Sequence, residues 1–83
     1  MKLVAEISLY PLQEDYVAHI LTFIERINEY ENLEVQTHAT CTIIKGDYQH
    51  LMSVLATEME RSHQEVGQAI FVCKFLKGDN IVL

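Results

Sequence analysis

Ser8 and Tyr10 sit in the run Ser8-Leu9-Tyr10-Pro11, which closes an apolar stretch and opens onto a helix. Their hydroxyls both donate and accept hydrogen bonds, and the tyrosine adds an aromatic face, groups suited to binding. Between Lys2 and Tyr10, Leu3, Ala5, Ile7 and Leu9 alternate with Val4, Glu6, Ser8 and Tyr10, the period of a strand. Ser8 and Tyr10 therefore share one strand face with Glu6, at the strand's carboxyl end. Pro11 lacks a backbone donor and fixes φ, so it ends pairing and turns the chain toward Glu14 and Asp15, which suit a helix N-terminus.

Other reactive residues point to less. His19, His38, His50 and His63 show neither an i, i+4 helical pair nor a Cys-x-x-Cys partner, so no metal site is expected. Cys41 and Cys73 fall on different strands, and two strand spacings place them roughly 10 Å apart, too far for a disulfide. Both are expected as free thiols. There is no Gly-rich phosphate loop.

The elements that must position these residues follow from periodicity. Tyr16, Val17, Ile20, Phe23, Ile24 and Ile27 recur at helical spacing and predict a helix from about Glu14 to Tyr30, ended by Asn32. Leu33, Val35 and Thr37 alternate with Glu34, Gln36 and His38 as a second strand. Cys41 to Lys45 reads as a third, joined to the second by a short connection at His38 to Thr40. Gly46 permits a tight turn, and Asp47 caps a helix reaching about Arg61, with Leu51, Val54, Leu55 and Met59 as its buried stripe. Gly67 releases a last strand from Gln68 to Leu76. Gly78-Asp79-Asn80 reads as a turn, and the apolar Ile81-Val82-Leu83 has no evident place in the core.

Strand, helix, strand, strand, helix, strand is the order of the ferredoxin-like α+β sandwich, an antiparallel four-stranded sheet with both helices on one face. The first and third strands are then central neighbours. Ser8 and Tyr10 come near Thr40, Cys41 and Thr42, with Gln68 on the other side, and Gly46 and Asp47 fall at the opposite end. In the last strand Ala69, Phe71, Cys73 and Phe75 occupy one face while Ile70, Val72 and Leu76 occupy the other. Helices cover only one face, so the other is expected to pack against a second sheet in a homodimer or higher homo-oligomer, with Phe71, Cys73 and Phe75 at the contact.

At 83 residues the chain is one domain, and domains this small bury only about 60% of their unfolded surface. A sizeable pocket is expected to need a partner subunit. A net charge of −6 argues against nucleic acid, whose footprint is basic, and tolerates a neutral or cationic ligand. The N-terminus has no signal-peptide pattern and no stretch approaches roughly 18 apolar residues, so a cytoplasmic protein without membrane insertion is expected.

Ser8-Leu9-Tyr10-Pro11, followed after one helix and one strand by Thr42-Ile43-Ile44-Lys45-Gly46-Asp47, resembles the thiamin/hydroxymethylpyrimidine-binding family of YkoF type, from Ala5 to about Phe75. Members of that family bind thiamin or its pyrimidine precursor on ferredoxin-like domains without performing a reaction. Better-known members carry two domains in tandem, so the resemblance implies a dimer here. It implies a binding role in thiamin uptake, salvage or sensing, no catalysis and no cofactor beyond the ligand. By position it carries over Ser8, Tyr10 and Thr42. Cys41 stands where the pattern often has serine.

An aminopyrimidine needs small hydroxyl or amide groups and a stacking aromatic, a description that Ser8, Thr42, Gln68 and Tyr10 meet. Glu6 is a candidate for the cationic thiazolium, and His38 lies near the cluster. Two alternatives are a small dimeric α+β-barrel enzyme of monooxygenase or isomerase type, in which His38 or Tyr10 would move protons, and a regulatory interaction domain.

Overall fold

A computed structural model describes residues 1–83. The elements run β1 (Lys2–Pro11), α1 (Tyr16–Asn28), β2 (Leu33–Thr37), β3 (Thr42–Asp47), α2 (Tyr48–Val66) and β4 (Ala69–Lys77). The sheet order is β2-β3-β1-β4 with every pair antiparallel, so the expected ferredoxin-like α+β sandwich is the observed fold. Strand β1 is central from Lys2 to Ile7, flanked by β3 and β4. Beyond Ile7 it pairs only with β4, out to Pro11 opposite Ala69. A proline is tolerated there because that part of the strand is an edge.

Antiparallel pairing places directly opposed residues on the same face. Leu3, Ala5 and Ile7 of β1 and Ile44 of β3 join Phe23 and Ile27 of α1 and Leu51, Val54 and Leu55 of α2 in one core, with Phe71 and Cys73 packed against it. Phe71 sits 5.3 Å from Phe23, ring centre to ring centre, and as close to His63 at an edge-on angle. Phe71 and Cys73 thus belong to the helix-covered face, and Phe75, opposite Ala5, shares it. This corrects the expected dimer contact. The open face carries Ile70, Val72 and Leu76, each about half-exposed, with exposed Tyr10 beside them.

The tail explains a second feature of that face. Gly78 N–H donates to the Lys2 carbonyl, Ile81 N–H to the Gly78 carbonyl, and the Lys45 amine to the Ile81 carbonyl. Lys45 is opposite Val4 on the open face. The tail therefore lies over this end of the sheet, and Val4 is only 7% exposed.

Two glycines act differently. Gly67 holds φ of 86° and ends α2, five residues past the expected Arg61. Gly46 forms no turn. It lies within β3, paired with Leu3 and Leu33, and a Cβ there would stand 2.5 Å from Leu33 Cδ2 and 3.2 Å from the Asn32 carbonyl. Its role is close approach of the two chains.

Between the helices, Arg26 of α1 pairs with Glu65 of α2 at 2.7 Å, and the Tyr30 hydroxyl donates to buried Glu58 at 2.6 Å. Arg61 lies 3.8 Å from the other Glu58 oxygen. This clasp fixes α1 against α2 on one side of the sheet.

Candidate functional site

The β2–β3 hairpin closes through His38 N–H donating to the Cys41 carbonyl at 2.8 Å, and Thr37 pairs with Thr42. Ser8 Oγ donates to the Thr40 carbonyl at 2.9 Å, tying the connection to the free-running end of β1. Strand β1 and helix α1 diverge at this end, because the chain must travel from Pro11 to Tyr16 before helix begins. The divergence leaves a cavity of about 460 Å³, of small-molecule size.

Its walls are mostly apolar: Ile7 and Leu9 from β1, and Ile20, Phe23 and Ile24 from α1, with Pro11, Leu12 and Tyr16 at the turn. Phe71 packs behind Phe23 at a tilt of 54° and supports that wall. The polar lining comes from the opposite side, His38, Thr40, Cys41 and Thr42, with Ser8 and Tyr10 on β1. Thr42 is only 5% exposed and stands opposite Ile7, on the helix-covered face. It is the polar residue set deepest in the site.

Four of the sequence candidates, Ser8, Tyr10, His38 and Thr42, line this one cavity. They do not form a single-faced cluster. Alternation puts Ser8 and Tyr10 on the face opposite Ile7 and Thr42, so the hydroxyls meet around the rim of the sheet. Glu6 lies outside the cavity, on the open face, 3.7 Å from Lys74. Gln68 also lies outside it; its backbone carbonyl accepts from Leu12 N–H at 3.1 Å, and its side chain is exposed.

The sequence reading missed the apolar half of the site. Ile20, Phe23 and Ile24 were legible only as a core stripe, since periodicity shows which face a helix buries but not where packing stops short of filling the space. Tyr16 and Val17, expected in the buried stripe, are instead about half-exposed.

Burial, and then the Glu6 carboxylate that accepts its hydrogen bond, hold the Cys41 thiol above its ordinary value. It is thereby kept protonated, the poorly nucleophilic form. The Cys73 thiol is likewise raised by burial. No group of three His, Cys, Asp or Glu side chains converges as a metal site would require. No helix is long and apolar enough to cross a membrane. A smaller depression of about 320 Å³ at the far end of the sheet is lined by Lys2, Asn32, Leu33, Glu34, Lys45 and Gly46.

Solved structures share this fold. A Thermotoga maritima protein provisionally assigned to thiamine biosynthesis/salvage superposes with a TM-score of 0.87 at 17% identity, over 100% of this chain and 91% of its own. A Streptococcus pneumoniae protein gives 0.84 at 22% identity, over 92% of this chain and 86% of its own. A hypothetical protein of Methanocaldococcus jannascii gives 0.78 at 25% identity, over 90% and 78%. No curated protein matches the chain. The model of the YkoF-related family matches residues 3–77, nearly the whole sheet and both helices, and the chain belongs to that family.

Proposed function

We propose that the protein binds thiamin or its hydroxymethylpyrimidine precursor in the cavity between α1, the end of β1 and the β2–β3 connection, and releases it chemically unchanged. The observation that carries this reading is the lining itself: an apolar surface of Ile7, Phe23 and Ile24, bordered by Ser8, Thr42 and Tyr10. An aminopyrimidine has an apolar ring and a hydrogen-bonding edge, and this lining offers one surface for each. Membership of the YkoF-related family and the thiamine assignment of the Thermotoga maritima neighbour support the same ligand class.

The working unit in this proposal is a cytoplasmic homodimer joined through the open sheet face at Ile70, Val72 and Tyr10. These side chains are apolar, exposed and adjacent, while the tail already covers the Val4 end. Sheet-on-sheet packing is the ordinary way to cover such a face.

Titration calorimetry with thiamin and hydroxymethylpyrimidine tests the reading, followed by mass spectrometry of the recovered ligand. Saturable binding with unchanged ligand is expected. Absence of binding contradicts the ligand assignment, and a chemically altered ligand would instead favour the small α+β-barrel enzyme.

A further inference from the structure

The chain holds six lysines and arginines, and none of them lines the cavity. Lys2, opposite Asp47, and Lys77, opposite Leu3, lie at the other end of β1. The Lys45 amine is bonded to the Ile81 carbonyl, and Lys74 stands by Glu6 on the open face. Arg26 and Arg61 belong to the clasp with Glu58 and Glu65 between the helices. His38 is the one basic side chain in the lining.

The charged residues adjacent to lining residues in the sequence, Glu6, Asp15 and Glu25, are all acidic. Leu12 and Tyr16 both line the cavity, and the turn between them, the rim on this side, carries the exposed Glu14 and Asp15. The Asp15 side chain makes no capping hydrogen bond to α1. A phosphate group would lose water here with no lysine or arginine in the lining to receive it.

We infer that this cavity accepts its ligand only before phosphorylation: a neutral or cationic heteroaromatic compound, and not its phosphate esters. The inference rests on the proposed binding function and sharpens it. The protein would then act upstream of the kinase reaction that charges such a ligand, or downstream of a phosphatase that releases it.

The test is calorimetry on the full chain, comparing thiamin and hydroxymethylpyrimidine each with its own monophosphate, at low and at moderate salt. Each ester is expected to bind at least about tenfold more weakly than the free compound, the gap narrowing as salt screens the rim. Removing the rim charges by Glu14→Gln with Asp15→Asn should narrow the gap. Ala39→Arg, which places a guanidinium at an exposed lining position, should narrow it further. An ester binding the unaltered protein as tightly as its free compound overturns this inference and leaves the binding function standing. If neither free compound binds, both fall together.

Discussion

At the scale of single residues, the two hydroxyls carried by the opening motifs have different duties. Ser8 donates to the Thr40 carbonyl and so holds the β2–β3 connection against β1. Its lone pairs remain able to accept from an amino group. Thr42 lies on the buried wall opposite Ile7. Thr42→Val keeps the shape and removes the hydroxyl, so it should weaken ligand affinity by about 1–3 kcal/mol by leaving a ligand group unpaired. Its melting temperature should change little, and calorimetry beside thermal melts separates the two effects. Ser8→Ala should act on both readouts, because the loop loses its tether as the ligand loses an acceptor. Glu58 was not legible at this scale. A carboxylate in a helical stripe reads as a solvent-facing charge until the fold brings the Tyr30 hydroxyl, just past the end of α1, to within 2.6 Å.

At the scale of elements, the sequence placed all six strands and helices in order, because the switch between periods of two and of three to four is strong in each. The ends were less legible. Helix α2 runs to Val66 since Arg61, Ser62 and Glu65 find partners or burial against the sheet and α1, which local propensity does not record. Gly46 was misread as a turn because glycine signals both turns and close approach, and only the Leu33 contact distinguishes them. Asp47 behaves as expected, its carboxylate accepting from His50 N–H at 3.1 Å at the start of α2. Asp47→Ala should lower stability by about 1 kcal/mol, read by denaturant melts, and leave affinity unchanged, since this cap lies at the far end of the sheet. The helix clasp gives a pH signature. The Arg26 guanidinium, through its hydrogen bond, holds the Glu65 carboxyl below its ordinary range. A lowered folded pKa contributes stability above the unfolded value and loses it as pH falls through the folded one. The melting-temperature difference between the unaltered protein and Glu65→Gln should be present at neutral pH, shrink with salt, and vanish in acid below the carboxylate range.

For the whole molecule, the sequence indicated that β4 needs cover on both sides but not which side faces the helices. Both of its faces are apolar, so alternation alone leaves the choice open; the register of Phe71 opposite Leu9, with Phe23 packed against it, decides it. The proposed dimer therefore depends on Ile70 and Val72. Val72→Lys should yield a folded monomer by light scattering with a native circular dichroism spectrum, whereas Phe71→Glu should unfold the chain by charging the core. A dimer that survives Val72→Lys with Ile70→Glu would place the contact elsewhere. The cavity is likewise a whole-molecule property, formed where β1 outruns its pairing with β3 and α1 has not yet closed over it. Its central test is to titrate hydroxymethylpyrimidine into isotope-labelled protein and follow amide and methyl resonances. The account predicts saturable shifts centred on Ile7, Ile20, Ile24 and Thr42. Shifts centred instead on Asn32, Leu33 and Lys45, at the opposite end of the sheet, or no shifts at all, would contradict it.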